Sequence, residues 1–194
     1  MASETSSLEA GASEPVTSDS DSLLAHAAKD AQSITADWVR PQELIEGVAV
    51  KEPKNVCKAS GDVLCEVFRA DWALDSGTID QVFQSTLLPG SITAWPAHRL
   101  TTDRLFVTSG LIQIVLYDDR PDSATRGLLN VFRYGTARPG LVVIPPGIWH
   151  GVQNISDTPA LLLNLVDKAY QYDDPDHWRL PVDTDRIPYT FERR

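Results

Sequence analysis

Short runs of apolar residues alternate with turn residues along most of the chain, from residue 41 onward. The runs are rich in β-branched and aromatic residues and recur roughly every 8–12 residues, a spacing that predicts many short strands. In the run LIQIVLYDD, Ile112, Ile114 and Leu116 lie on one face of a strand and Gln113 on the other, which predicts a strand with one face on the core. Long helical periods are absent from this region of the sequence, so we predict an all-β sandwich or barrel.

The first forty residues have a different composition. Residues 1–22 are mainly Ser, Glu, Ala and Thr with almost nothing to bury, which predicts a disordered segment. Residues 22–40 could form a short helix or remain a linker. We therefore expect a disordered or partly helical tail over residues 1–40 and one folded domain over residues 41–194. The Pro-rich stretch DDPDHWRLPVDTDRIPYTFERR predicts an extended segment that wraps this domain.

Charge and composition disfavour some classes of binding partner. The net charge of −10 and the pI of about 4.7 disfavour a nucleic-acid surface, whereas one nucleotide needs only one or two local Arg residues. The sequence shows no signal-peptide pattern and no apolar stretch near the length of a membrane span, so we expect a cytoplasmic protein without a membrane partner. Cys57 and Cys65 lie in no CxxC pattern, and we expect two reduced thiols.

Two segments combine Gly, Pro and His at fixed spacings. The second follows the pattern P-x-G-x2-H-x3-N through Pro145, Gly147, His150 and Asn154. The first follows the pattern G-x5-H-x-H-x3,4-E-x6-G, with Pro for the first His and Asp for Glu, through Gly90, Pro96, His98, Asp103 and Gly110. Both patterns resemble the paired signatures of the cupin superfamily. Each signature is a strand–turn–strand unit, so two His side chains, one from each, are predicted to meet inside a cupin β-barrel of jelly-roll type.

Longer segments are similar to one family within that superfamily. They are QVFQSTLLPGSITAW, DRLFVTSGLIQIVLYDDR, LYDDRPDSATRGL, IPPGIWHGVQNISD and DKAYQYDDPD. These segments resemble the dTDP-4-dehydrorhamnose 3,5-epimerases, which are homodimeric cupins, over about residues 45–190. The resemblance implies a homodimeric isomerase that acts on a nucleotide-linked 4-keto-deoxy sugar and needs no metal cofactor.

The same resemblance assigns catalytic roles. In the family a His takes the proton from C3 and C5 of the sugar, a Tyr returns a proton on the other face, and a Lys stabilises the enolate. By this resemblance the base position falls on Pro96, and the Tyr position falls at or next to Asn164 in the run LLLNLV, which contains no Tyr, so the family's catalytic pair is replaced. We expect His98 or His150 to be the base and Asp103 to be the carboxylate that orients it. We expect Arg104 to stabilise the enolate.

Other side chains are candidates for contact with the substrate. Aromatic rings at a barrel mouth can stack on a sugar or a base, and Arg binds phosphate oxygens in a bidentate way. The predicted substrate-binding residues are Trp95, Trp149, Asn154, Tyr170 and Arg133, and further diphosphate candidates are Arg104, Arg120 and Arg126. His177 lies in a polar, Pro-rich stretch, and we expect it to be exposed rather than functional.

Two other functions fit the same residues. His98, Asp103 and His150 form a two-His-one-carboxylate set, which could hold Fe, Mn, Ni or Zn in a metal-dependent cupin enzyme acting on a different small molecule. Alternatively, the protein is a non-catalytic cupin that binds a sugar or a nucleotide and has lost the proton-transfer pair. Metal content separates the first alternative from the others, and proton exchange separates an epimerase from a binder.

Overall fold

The protein is built from short antiparallel strands, described here from a computed structural model over residues 22–37, 41–75 and 77–192. The early strands are β1 (Ala49–Lys51), β2 (Val56–Cys57), β3 (Val63–Leu64), β4 (Gln81–Leu87), β5 (Ile92–Ala94) and β6 (Pro96–Ala97). The later strands are β7 (Asp103–Ser109), β8 (Leu111–Asp118), β9 (Leu129–Gly135), β10 (Leu141–Ile144), β11 (Ile148–Asn154), β12 (Ala160–Val166) and β13 (Trp178–Arg179). A short 3₁₀ helix, Ala70–Trp72, precedes β4.

Most of the strands belong to two sheets. One sheet has the strand order β1-β10-β7-β12-β4, and the other has the order β5-β11-β8-β9. Two short ladders, β13 with β6 and β2 with β3, complete the set. Sequence neighbours are often separated within a sheet, as in a jelly roll. The predicted all-β jelly-roll fold is therefore confirmed.

The centre of the structure is an apolar core between the inner faces of the two sheets. Because successive side chains of a strand point to opposite faces, each strand contributes alternate residues to this core. The first sheet contributes Leu105, Val107, Val142, Ile144 and Leu162, and the second contributes Ile112, Ile114, Leu116, Phe132, Tyr134, Ile148 and Val152. The predicted inward face of LIQIVLYDD is thus confirmed.

The outer face of β8 is buried as well, which the alternating pattern did not predict. Gln113 and Val115 point to this face and are almost inaccessible to solvent. The C-terminal segment covers them, because Ile187 and Phe191 form a second apolar cluster with Val115 and Trp95. The segment predicted to wrap the domain therefore buries the back of the second sheet.

The chain divides into two units, Met1–Pro41 and Gln42–Arg194. In the first unit the described part contains a 3₁₀ helix, Leu23–His26, and the Ser22 hydroxyl accepts a hydrogen bond from the Leu24 amide at 3.3 Å. The predicted disordered tail falls mainly on residues 1–21 and 38–40, which lie outside the described residues. Within the described ranges, none of the helices has the length and apolar character that a membrane crossing requires.

The loop after β8 is held by one buried carboxylate. Asp118 accepts hydrogen bonds from the Arg120 guanidinium at 2.9 Å, the Ser123 hydroxyl at 2.6 Å and the Thr125 hydroxyl at 2.8 Å. Burial alone would raise the pKa of Asp118, but these donors hold its pKa well below the ordinary value. This network explains the D-x-R-x-x-S-x-T pattern of the sequence as a structural feature of the loop.

Candidate active site

A cavity of about 1210 Å³ opens between the two sheets. Its walls come from inward-facing residues of β4, β7, β11 and β12, and its rim from the chain between residues 167 and 179. The apolar core closes its inner end, since Leu105, Val152 and Leu162 belong both to the core and to the lining. A concave site with an apolar floor and a few convergent polar groups is typical of a small-molecule site.

Three titratable side chains meet in the wall of this cavity. Nε2 of His98 and Nε2 of His150 each lie 3.3 Å from Oδ2 of Asp103. His98 follows β6, Asp103 begins β7 and His150 lies in β11, so the cluster joins the two signatures of the sequence. The side chain of His98 is 14% exposed, against 3% for Asp103 and 9% for His150. Within the cluster, His98 is therefore the more exposed of the two imidazoles.

Each imidazole of the cluster faces an oxygen atom at both ring nitrogens. Nδ1 of His98 contacts the carbonyl oxygen of Asp176, and Nδ1 of His150 lies 3.2 Å from the carbonyl oxygen of Ile148. Because a carbonyl oxygen only accepts, we assign Nδ1 as the donor in both rings. Both Nε2 atoms then face one carboxylate oxygen, an arrangement suited to general acid–base chemistry. Burial lowers the pKa of His150, and the nearby Asp103 carboxylate only partly opposes this shift.

The carboxylate at the centre of the cluster is oriented by an amide. Nδ2 of Asn164 donates to Oδ1 of Asp103 at 2.7 Å, and Oδ1 of Asn164 accepts from the backbone amide of Arg104 at 3.1 Å. The second contact fixes which end of the Asn164 amide faces Asp103. As a result, Oδ2 of Asp103 is left for the two imidazoles.

The same three residues fit the donor set of a divalent transition metal. Their ligand atoms all lie within 4.8 Å of one another. Both imidazoles also turn Nδ1 to a backbone carbonyl, as metal-ligating His residues commonly do. Two imidazole nitrogens and one carboxylate oxygen would leave open coordination positions toward the cavity.

The structure places Arg104 away from the cavity. Arg104 is fully buried; its Nε and Nη2 donate to the Asp75 carboxylate at 2.7 and 2.8 Å, and Nη1 donates to the Leu165 carbonyl at 3.2 Å. It follows Asp103 in β7, so the two side chains point to opposite faces of the strand. This placement corrects the prediction that Arg104 stabilises charge within the site.

Both predicted Trp residues lie outside the cavity. Trp95 lies between β5 and β6 and is fully buried. Trp149 precedes the cavity-lining His150 in β11, so its indole ring points to the outer face. Both Trp residues pack in the second apolar cluster with Ile187. Both are therefore structural residues of the outer face, which corrects their assignment as substrate contacts.

The remaining predicted residues are divided. Tyr170 lies on the rim of the cavity and is 48% exposed. Asn154 is fully buried and braces a turn, because its Nδ2 donates to the carbonyls of Leu87 and Thr158 at 2.9 and 2.8 Å. Arg133 lines a separate cavity of about 220 Å³. Asn154 and Arg133 thus do not reach the main cavity, contrary to the prediction.

Two of the other residues predicted to bind a diphosphate pair with carboxylates outside the cavity. Arg120 is bound to Asp118 within the loop after β8, and Arg126 pairs with Asp119 at 3.5 Å. Lys168, Arg179 and His177 line the cavity instead, and no role was predicted for them from the sequence. Lys168 lies in the segment DKAYQYDDPD, which resembles the family. This resemblance was the sequence signal that could have indicated a role for Lys168.

His177 is exposed as predicted, yet it lies on the cavity beside the cluster. Its ring centroid is 5.1 Å from that of His98, and its Nε2 lies 2.8 Å from Nη2 of Arg179. Partial burial and the neighbouring His98 and Arg179 lower the pKa of His177. A neutral imidazole therefore faces the cavity at its rim.

Two known proteins that are similar to this chain are named for glycan or polysaccharide biosynthesis. The chain is 42% identical over 123 residues to a probable low-salt glycan biosynthesis epimerase of Haloferax volcanii, covering 62% of this chain and 78% of that protein. It is 34% identical over 150 residues to the spore coat polysaccharide biosynthesis protein SpsL of Bacillus subtilis, covering 76% of this chain and 97% of that protein. No family model matches the chain.

Solved structures similar to this chain include a sugar isomerase and a sugar epimerase. A dTDP sugar isomerase from Desulfovibrio desulfuricans superposes with a TM-score of 0.69 at 32% identity, covering 75% of this chain and 91% of that chain. A dTDP-4-dehydrorhamnose 3,5-epimerase from Bacillus anthracis superposes with a TM-score of 0.66 at 17% identity, covering 75% and 87%. At that lower identity the likeness supports the fold alone.

Proposed function

The chain belongs to the dTDP-4-dehydrorhamnose 3,5-epimerase-like family of sugar epimerases with a cupin fold, and on this premise we propose that it epimerises a nucleotide-linked 4-keto-deoxy sugar. The observation that carries the proposal is the pair of imidazoles on one carboxylate in the wall of the cavity. This cluster offers the proton-transfer chemistry that an epimerase needs, and we propose that it takes over from the family's catalytic His and Tyr, whose positions the sequence resemblance assigns to Pro96 and Asn164.

The proposed reaction begins with removal of a proton beside the sugar carbonyl. The C4 carbonyl acidifies the hydrogens at C3 and C5, so a base and a stabiliser of the enolate are sufficient. We assign the base to His98, the more accessible imidazole, with His150 and Asp103 sharing the proton behind it. The C–H bonding electrons pass into the enolate, and the proton moves to the cluster.

Return of a proton to the opposite face of the sugar needs a different group. Asn164 cannot supply it, because an amide does not titrate near neutral pH and its Nδ2 is bound to Asp103. Tyr170 on the rim is the Tyr that we assign to contact the sugar and to return this proton. Tyr172 also lies on the rim, but it is 85% exposed, and its ring packs edge-on against Tyr170 with centroids 5.4 Å apart, so it provides a matched comparison.

The nucleotide part of the substrate requires cationic groups, and the rim provides two. Lys168 and Arg179 line the cavity, whereas Arg104, Arg120 and Arg126 are paired with carboxylates elsewhere. Charge-assisted hydrogen bonds from Lys and Arg are the usual means of holding a diphosphate. We therefore assign the diphosphate to Lys168 and Arg179.

Hydrogen exchange with solvent tests the proposal. The purified protein is mixed in D2O with a dTDP-linked 4-keto-6-deoxyhexose, and the proton signals at C3 and C5 are followed by NMR. Loss of either signal, at a rate that falls in the His98→Gln variant, supports the epimerase. Saturable binding of the nucleotide sugar without exchange would instead support the non-catalytic binder. The Pro96→His variant is an informative companion, since faster exchange would show that the cavity accepts the family's base.

A metal-dependent enzyme is the second candidate, because the ligand atoms of His98, Asp103 and His150 lie within 4.8 Å of one another. Elemental analysis before and after treatment with a chelator separates the two candidates. Near-stoichiometric Fe, Mn, Ni or Zn that is lost in His98→Ala would replace the metal-free epimerase with a metal-dependent cupin. Metal far below one ion per chain, together with exchange, would support the metal-free reaction.

We also propose that the protein is a homodimer. In the first sheet β4 has one neighbour, β12, within the described chain. Its Val82 is 53% exposed, and an uncovered edge strand with exposed apolar side chains favours pairing with another chain. Light scattering coupled to gel filtration measures the mass, and Val82→Lys should shift a dimer toward monomer.

A further inference from the structure

The segment that contains Asp176 is attached to the segment that contains His98 at several points. Strand β13 pairs with β6 through Trp178 with Ala97 and through Arg179 with Pro96. The guanidinium of Arg99 lies over the Trp178 ring, 3.9 Å from its centroid. The two segments thus run antiparallel along the edge of the cavity, with His98 next to the junction.

The Asp176 side chain is hydrogen-bonded to the residues that follow His98. Its carboxylate accepts from the backbone amides of Arg99 at 2.8 Å, Leu100 at 2.7 Å and Thr101 at 3.0 Å, and from the Thr101 hydroxyl at 3.1 Å. Four donors on one carboxylate fix the loop that leads from His98 to Asp103. Burial raises the pKa of Asp176, but the amide donors outweigh it and keep the pKa below the ordinary value, so the carboxylate is charged at neutral pH.

The backbone of the same residue contacts the imidazole itself. The carbonyl oxygen of Asp176 accepts from Nδ1 of His98. A proton kept on Nδ1 leaves Nε2 as the nitrogen that exchanges protons with Asp103 and with a bound substrate. The side chain of Asp176 therefore holds the backbone carbonyl that sets the tautomer of His98.

We propose that Asp176 is the positioning residue of His98, fixing both the place and the tautomer of its imidazole through the clamp on residues 99–101. The catalytic consequence rests on the proposed epimerase function, whereas the tautomer does not. A ring released from this clamp can transfer its proton to Nε2 and donate it to Asp103. Nε2 would then no longer be available as a base.

The first test reads the tautomer and needs no substrate. Protein labelled with ¹⁵N-His is compared with Asp176→Ala by two-bond ¹H–¹⁵N correlation spectra, with the His98 signals assigned from His98→Gln. The chain has 4 His residues, so the assignment is tractable. We expect a protonated Nδ1 in the natural protein and a marked gain of the Nε2-protonated form in Asp176→Ala. Unchanged His98 signals in a folded Asp176→Ala protein would overturn the proposal.

The second test compares kcat with KM for solvent exchange. Asp176→Ala should lower kcat about 10–100-fold and leave KM within about twofold, since misplacing a reacting group by about 1 Å costs about that much. Asp176→Asn keeps an oxygen acceptor and should recover most of the rate. Asp183→Asn, an exposed carboxylate of the C-terminal segment outside the cavity, is the matched control.

The two tests separate the possible failures. If the natural protein shows no exchange but Asp176→Ala changes the His98 tautomer, the proposed function fails and the positioning role stands. If exchange is present and Asp176→Ala matches the natural protein in both kcat and tautomer, the positioning role is overturned. If Asp176→Ala does not fold, Asp176→Leu, which removes the carboxylate acceptors but fills more of the space of the side chain, carries both measurements, and unchanged His98 signals in it would overturn the proposal.

Discussion

The Asn164 side chain donates a hydrogen bond to Oδ1 of Asp103 at 2.7 Å, from a position where the family resemblance places a catalytic Tyr. The same amide accepts from the Arg104 backbone, so its orientation is fixed. Asn164 therefore belongs to the polar network that presents Asp103 to the two imidazoles.

Removing this amide should destabilise the protein. In Asn164→Ala, Oδ1 of a nearly inaccessible carboxylate loses its donor, and we expect the free energy of unfolding to fall by about 1–3 kcal/mol. Urea denaturation followed by circular dichroism measures the change. Asn55→Ala is the control, because Asn55 makes a comparable contact to the Thr136 carbonyl at an exposed site. Equal effects of the two variants would contradict this role of Asn164.

The ion pair between Arg104 and Asp75 should matter for stability rather than turnover. Asp75→Ala leaves the fully buried Arg104 guanidinium without its partner, and such a loss costs about 3 kcal/mol or more in a dry site. The Asp75 side chain is 21% exposed, so we expect a cost near the lower end of that range. We expect kcat for exchange to stay within about threefold in the folded variant. A kcat collapse without a stability change would restore Arg104 to the site.

Stability should depend on pH through His150. Burial lowers the pKa of this imidazole in the folded state, whereas in the unfolded chain it titrates near pH 6.5. Between the two pKa values the unfolded state binds more protons, so the free energy of unfolding decreases as the pH falls below about 6.5. The contribution is complete above that value.

The His150→Gln variant isolates this contribution. Urea unfolding at about pH 7.5 and about pH 5.5 should show a smaller difference in this variant than in the natural protein. His26→Gln, which alters an exposed residue of the first unit, should leave the difference unchanged. An equal loss of stability in the natural protein and in His150→Gln would refute the assignment.

Affinity for the nucleotide part should depend on the rim. Lys168→Ala and Arg179→Ala should each weaken binding of dTDP about tenfold, because each removes one charge-assisted hydrogen bond. Isothermal titration calorimetry gives the Kd directly. Arg126→Ala, which removes an exposed cation paired with Asp119, should bind dTDP as the natural protein does. No change in Lys168→Ala and Arg179→Ala would place the diphosphate elsewhere.

Tyr170 and Tyr172 should differ in their effect on turnover. Tyr170→Phe should lower the yield of inverted product at least about tenfold, since general acid–base groups contribute about that much or more. Tyr172 is 85% exposed, and Tyr172→Phe should retain turnover. Product stereochemistry is read from NMR coupling constants, and an active, inverting Tyr170→Phe enzyme would exclude Tyr170 as the proton donor.

The sequence predicted those parts of the site that depend on spacing along the chain. The two signatures placed His98, Asp103 and His150 together, because turn glycines and strand lengths fix which inward positions face each other. The prediction from the sequence was wrong where two adjacent residues of one strand were both assigned to the site. Trp149 and His150 are adjacent in one strand, as are Arg104 and Asp103 in another, so the members of each pair point to opposite faces and only one of each pair can reach the cavity.

The remaining residues depend on how a segment with one short strand, β13, is folded against the domain. His177 and Arg179 reach the cavity because the Asp176 carboxylate and the β13–β6 ladder fix their segment against the His98 loop. Neither periodicity nor motif spacing encodes this long-range contact. The burial of Gln113 likewise depends on the C-terminal segment, through the Tyr189 hydroxyl at 2.6 Å.

The most direct test of the account is the initial rate of deuterium incorporation into a dTDP-linked 4-keto-6-deoxyhexose, measured with the chelator-treated natural protein and with His98→Gln. We expect incorporation at C3, C5 or both, with the rate in His98→Gln lower by about 100-fold or more. Equal rates in the two proteins would contradict the assignment of His98 as the base. Absence of incorporation at saturating substrate, or incorporation that disappears with removal of a bound metal, would contradict the metal-free epimerase itself.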